Sequence, residues 1–258
     1  MSRMRTLLLA CGLALCVSGV TTPSLATESA ASPFQVRHLR VKGDSMAYAV
    51  WLPPGYDHAR SWPCIVFLNG SGECGTDGLK QTWQGLGPAL LAHPERWPFV
   101  AVMPQKPGAD EEWEEREDLV FGALKVVQKS FNIDPERIAL TGISQGRHGA
   151  WVLGARHPDR WSCLVPVCGY GRARTVASRI AKLPVWAFQG LKDDVVDPRE
   201  PQAIVAALRE RQKAAGLTAD DPRAARLTLY PDLGHGCWEA AFGDSTLPAW
   251  MLEQRRGH

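Results

Sequence analysis

The stretch Gly142-Ile143-Ser144-Gln145-Gly146 constrains this chain more than any other: it has the form G-x-S-x-G and follows the apolar run Ile138-Ala139-Leu140. A serine between two such glycines, where a strand hands over to a helix, sits on a turn tight enough to lift its hydroxyl clear of a sheet. A Cβ at position 142 or 146 would crowd that turn, and glycine has none. The small residues Gly149, Ala150, Gly154 and Ala155 then suit a helix packed closely on the strand. The pattern is weak alone. Its context makes Ser144 a candidate nucleophile.

The rest of the chain predicts the sheet this turn belongs to. Val36, Leu39 and Val41, with 48–52 after Lys42-Gly43-Asp44, read as an antiparallel hairpin. Residues 63–68 and 99–103 are unbroken apolar runs of strand length, the mark of strands covered on both faces. Further strands are expected at 138, 163–167, 185–188 and 226–230. Helices are expected at 87–93, 118–131, 144–156, 200–215 and 247–254. This alternation predicts an α/β fold with a mostly parallel sheet, right-handed crossovers and no large cap domain. A length of 258 residues, 45% of them hydrophobic, suits one such domain, expected at 35–258.

Ahead of it, a basic start at Ser2-Arg3-Met4-Arg5, an apolar run at 6–20 and Ser24-Leu25-Ala26 read as a secretory signal peptide over 1–26, followed by a linker at 27–34. Leu8-Leu9-Ala10-Cys11 vaguely resembles a lipoprotein signal, but the apolar stretch before Cys11 is too short, so a secreted or periplasmic protein is expected. No later run is long enough to span a bilayer. A net charge of +2 gives no argument for nucleic acid as a partner. Cys64, Cys74, Cys163, Cys168 and Cys237 would remain after cleavage, an odd set with no zinc spacing. Cys64, Cys163 and Cys168 read as small buried hydrophobes.

A serine hydroxyl needs a base, and the base an orienting carboxylate. Asp193 lies in a loop after a late strand, and His235 follows the last one. With Ser144 they give the order serine, acid, histidine, all at the carboxyl ends of strands. Asp194, Asp197 and Asp232 are weaker alternatives, and His148 and His157 fall on or beside the helix after Ser144, where a surface role is expected. Backbone N–H groups of Gln145 and of Ser71, in the glycine-lined loop Asn69-Gly70-Ser71-Gly72-Glu73, are the expected oxyanion donors. The acidic run 110–118 around Trp113 reads as a solvated helix start, and no regular oxygen spacing suggests calcium. No metal or cofactor is expected. Trp113 and Trp238 are candidates for an aromatic wall at the substrate site.

Several segments together carry a family resemblance. They are Asn69-Gly70-Ser71-Gly72-Glu73, Asp77-Gly78-Leu79, Gly85-Leu86-Gly87-Pro88, Met103-Pro104-Gln105, the run from Ile133-Asp134-Pro135 into the serine turn, Arg156-His157-Pro158-Asp159-Arg160, and Gly234-His235. The chain resembles the secreted α/β-hydrolases related to polyhydroxybutyrate depolymerases and feruloyl esterases, a group of predicted peptidases and esterases. The resemblance implies Ser144 as nucleophile, Asp193 as acid and His235 as base. It also marks departures: Asn69 and Gln189 where histidine is usual, Arg147 where glycine is common, and cysteines at 74 and 237. Arg147 is thereby expected to narrow or charge the pocket, and Cys74 and Cys237 to tether their two loops by a disulfide. The expected activity is ester cleavage through an acyl-enzyme, on a small or oligomer-derived ester. A peptidase with the same residues, and a catalytically silent binding protein on this fold, are the alternatives.

Overall fold

The computed structural model describes residues 32–171 and 173–256. The expected signal segment 1–26 lies outside them, as does the linker as far as residue 31. Phe34 is already buried at 5% exposure, so packing begins just ahead of the expected boundary.

β1 (Gln35–Val41) and β2 (Asp44–Trp51) form the antiparallel hairpin. It turns at Lys42 and Gly43, with φ of 52° and 96°, the left-handed backbone that a tight hairpin turn needs. β2 runs antiparallel to β4 (Val100–Pro104), which is parallel to β3 (Trp62–Leu68). β5 (Ile133–Ile143), β6 (Cys163–Val167), β7 (Trp186–Gly190) and β8 (Arg226–Tyr230) continue in parallel. The sheet has the order β1-β2-β4-β3-β5-β6-β7-β8.

Successive residues of β3 explain why the run 63–68 is apolar throughout. Val66 and Leu68 pack on one side, with Leu119 and Leu124 of α2 (Glu117–Ser130) and Leu153 of α3 (Gln145–Arg156). Ile65 and Phe67 pack on the other, with Leu86 and Leu90 of α1 (Leu86–Ala92) and Trp250 of the C-terminal helix Leu247–Glu253. A strand alternates its side chains, so helices on both faces require hydrophobic residues at every position. Each such side chain contributes roughly 1.5–3 kcal/mol.

Two short helices depart from the expectation, α4 (Ala173–Arg179) and α6 (Trp238–Gly243). Between them lies α5 (Arg199–Ala214), and the C-terminal helix is α7. β5 also begins earlier than its apolar run: Trp62 pairs with Ile133, and the register then shifts before Cys64 meets Ile138. Pro135 and two acidic residues hide that extension from a reading by hydrophobicity.

Candidate active site

Ser144 sits between the end of β5 and the start of α3 with φ 51° and ψ −118°, a conformation that a non-glycine residue adopts only when its surroundings impose it. The imposition is visible in the glycines. A Cβ on Gly146 would land on the Leu68 carbonyl, and one on Gly142 on the Gly146 carbonyl. Strand and helix therefore approach closely enough to hold the turn. The Ser144 N–H donates to the Val167 carbonyl at 3.2 Å, which fastens the turn to β6.

Ser144 Oγ lies 2.9 Å from His235 Nε2. On the other side of the ring, His235 Nδ1 is 3.1 and 3.0 Å from the two Asp193 oxygens. The Asp193 side chain has no exposed surface, while that of His235 is 18% exposed. Burial pushes the Asp193 carboxyl up, but His235, the Val196 N–H, Gln189 and the Val195 N–H together outweigh it and hold its pKa below the usual value. Val195 and Val196 donate at 3.0 and 2.9 Å, and Gln189 Nε2 at 2.8 Å. Asp193 is thus ionised and fixed. A carboxylate on Nδ1 selects the tautomer that leaves Nε2 free to accept a proton from the serine.

Gly70 lies against the serine: a Cβ there would sit 3.2 Å from Ser144 Cβ and 3.0 Å from Glu73 Oε2. Ser71 opens the short turn Ser71–Glu73 and Gln145 opens α3, so neither N–H has an acceptor within its own helix. These are the two expected donors, and both belong to segments next to Ser144. Their supports went unread in the sequence. Lys106, wholly buried, donates through Nζ to Gln145 Oε1 at 2.7 Å and to the Glu111 carbonyl. Burial lowers the Lys106 pKa, and neighbouring acidic groups oppose that shift. Gln105 Oε1 accepts from the Gly78 N–H at 2.7 Å, and its Nε2 donates to the Glu73 carbonyl at 3.3 Å. Asn69 Oδ1 accepts from the Lys106 N–H and its Nδ2 donates to the Gly70 carbonyl. The Met103-Pro104-Gln105 motif was the available signal, since its Gln105 braces the 69–78 loop.

Three expectations are corrected. Trp113 is not on a pocket wall: it is buried, its Nε1 donating to the Asn69 carbonyl at 3.0 Å, because the acidic run folds inward beneath the loop. Arg147 likewise has no exposed surface, since α3 turns this position toward β7. Cys237 is disulfide-bonded to Cys168, not to Cys74, which is free. Cys168 directly follows β6, where its φ of 46° ends the strand and aims the side chain at the histidine loop. Trp238 does stand at the site, edge-on to His235 with ring centroids 5.6 Å apart.

His148 and His157 face other partners, Glu114 and Glu117, each at 3.4 Å. Glu112, Glu114 and His148 form a group whose ligand-type atoms lie within 4.8 Å of one another, the set among the described residues that could hold a cation. Glu112 there also accepts from the Tyr170 hydroxyl at 2.6 Å. Among the described residues no helix is long and apolar enough to cross a membrane.

Comparison with known proteins agrees with this architecture. The family model described as "Putative esterase" matches residues 40–242. No curated protein gives a significant match. Among solved structures, a thermostable esterase superposes with a TM-score of 0.72 at 24% identity, covering 87% of this chain and 64% of that one. The feruloyl esterase module from Clostridium thermocellum, as its S954A mutant with sinapinate, gives 0.64 at 14% identity, covering 87% and 89%. An acylaminoacyl peptidase gives 0.62 at 16%, covering 87% of this chain and 42% of the other. Likeness at these identities speaks for the fold, and the family match covers most of the chain. This chain belongs to the esterase family, built on the α/β-hydrolase fold.

Proposed function

We propose that the protein is an exported serine hydrolase that cleaves carboxylic esters by way of an acyl-enzyme. The observation that carries this reading is the line from Ser144 Oγ through the His235 ring to Asp193. His235 Nε2 takes the serine proton as Oγ attacks the ester carbonyl. Asp193 stabilises the imidazolium that forms, and the N–H groups of Gln145 and Ser71 receive the negative oxygen. Collapse of the tetrahedral intermediate passes the proton from His235 to the leaving alcohol. Water, deprotonated by the same imidazole, then attacks the acyl-serine and frees the acid.

The N-terminus of α3 and the buried Lys106 beside Gln145 make the oxyanion side electropositive. Trp238 offers an aromatic face for the substrate next to His235. The feruloyl esterase module is complexed with sinapinate, an aromatic acid, and a hydroxycinnamoyl ester is accordingly among the substrates to test here. Export is supported by the N-terminal sequence and by the disulfide, which belongs to an oxidising compartment.

A panel of short p-nitrophenyl esters, methyl hydroxycinnamates and p-nitroanilide peptides, each with wild type and S144A, tests the assignment. Turnover of esters that S144A abolishes is expected. Cleavage of the anilides with none of the esters would replace the esterase by a peptidase.

A further inference from the structure

Arg147 is hard to explain by stability. A buried guanidinium is costly unless fully paired, and an apolar side chain of similar volume often serves as well or better. Arg147 has no exposed surface. Its Nη1 donates to the Gly169 carbonyl and, at 2.7 Å, to Gln189 Oε1. Its Nε and Nη2 are buried with no hydrogen-bond partner among the described residues. Burial pulls its pKa down to about 9, with Glu200 and Asp193 opposing that only through space.

Its place in the fold suggests another role. Arg147 lies on α3, one turn after Ser144, and Gln189 is on β7, just ahead of the Asp193 loop. Gln189 Nε2 donates to Asp193 Oδ2 at 2.8 Å and to the Gly190 carbonyl at 3.1 Å. Arginine can only donate and a carboxylate can only accept. The amide between them therefore has one orientation that suits both ends, oxygen to Arg147 and nitrogen to Asp193. A charged donor on its oxygen also polarises the amide, strengthening the bond to Asp193. The links close a ring: Ser144, one turn of α3, Arg147, Gln189, Asp193, His235, and back to the Ser144 hydroxyl.

We propose that Arg147 is a positioning residue of this site, fixing the Asp193 carboxylate against His235 through Gln189 and tying it to the helix that carries Ser144. The inference rests on the serine hydrolase reading above. Arg147 touches no reacting atom, so its effect falls on turnover and not on substrate binding.

The test compares wild type, R147M, Q189L and R147M/Q189L by kcat and KM on a short p-nitrophenyl ester and by urea midpoint. R147M strands Gln189 Oε1 and the Gly169 carbonyl, so a lower midpoint is expected, with kcat down about ten- to a hundred-fold and KM within about two-fold. Q189L removes the amide through which Arg147 acts on Asp193, so it also slows turnover. In the Q189L background R147M is expected to leave kcat within about two-fold of Q189L alone. A merely structural role predicts that R147M lowers kcat by a similar factor with or without Gln189, and that result overturns the proposal. So does an unchanged kcat in R147M. Should R147M not fold, R147K takes its place in the same comparison: kcat lowered beside wild type and unchanged beside Q189L supports the proposal, and any other pattern overturns it. Wild type that hydrolyses no ester and takes no fluorophosphonate at Ser144 marks a failure of the underlying reading, separable from these outcomes because it appears before any substitution.

Discussion

Cys237 stands two residues after His235 and is bonded to Cys168, which directly follows the strand whose Val167 carbonyl accepts the Ser144 N–H. The disulfide therefore staples the histidine loop to the strand end that holds the serine turn.

This link closes a separation of 69 residues. Loop-closure entropy for such a ring is worth at most roughly 4 kcal/mol. C168A/C237A is expected to lose about 2–4 kcal/mol of stability, read as a lower urea midpoint, and to lose turnover as the His235 loop loosens. Alkylation of the unreduced, unfolded domain followed by peptide mapping should label Cys64, Cys74 and Cys163 and spare 168 and 237. Labelling of Cys237 there would refute the pairing.

The elements that could be read from the sequence are those whose cause is local. Continuous apolar runs marked β3 and β4 because both faces are covered. The serine turn was legible because its G-x-S-x-G pattern lies within five residues, although the Leu68 carbonyl that demands Gly146 is far away in the chain. The pairing of Cys237 was not, since the departures at 74 and 237 pointed to neighbouring loops while the actual partner, Cys168, resembled an ordinary buried strand cysteine. Trp113 and Arg147 were placed near the site but turned the wrong way. Which way a side chain faces depends on helix rotation against the sheet, which only the packed structure fixes. α6 was hidden because six residues give too little periodicity to read.

Asp193→Asn keeps the size of the side chain and removes its charge. The imidazole then loses the partner that fixes its tautomer, and kcat is expected to fall about 10⁴-fold, with ester KM little changed. Stability should respond to pH in a definite direction. The folded carboxyl titrates below its unfolded value of about 3.9. Its contribution is present above that value and is lost as pH falls through the lowered folded pKa. Urea midpoints of wild type and D193N measured from pH 6 down to about pH 2 should converge at the acid end. A constant gap between the two would contradict the cause assigned here.

Two glycines should behave differently. Gly146→Ala puts a methyl onto the Leu68 carbonyl, where backbone cannot yield, so little folded protein is expected. Gly70→Ala meets the Ser144 Cβ at 3.2 Å and the movable end of Glu73 at 3.0 Å, with an extended backbone that alanine accepts. G70A should fold with a loss of about 1–3 kcal/mol and show depressed kcat, as the loop bearing the Ser71 N–H is pushed from the serine. Circular dichroism melts beside ester kinetics separate the two cases.

Lys106→Met removes the buried donor that joins Gln145 Oε1 to the Glu111 carbonyl. Gln145 Oε1 then loses its charged partner, at a cost of about 1–3 kcal/mol, while the Glu111 carbonyl keeps the Gln145 Nε2 donor. The electropositive side of the oxyanion position also weakens, so kcat should fall with KM nearly constant. A K106M enzyme with normal kcat would leave Lys106 a role in folding alone.

Mass spectrometry of the folded domain after reaction with a fluorophosphonate probes the central claim most directly, because only a hydroxyl activated by a neighbouring imidazole reacts quickly. A single adduct is expected on the peptide containing Ser144, absent from H235A prepared and folded in the same way. Wild type without that adduct, or H235A modified at the same rate, would contradict the relay from Ser144 through His235 to Asp193.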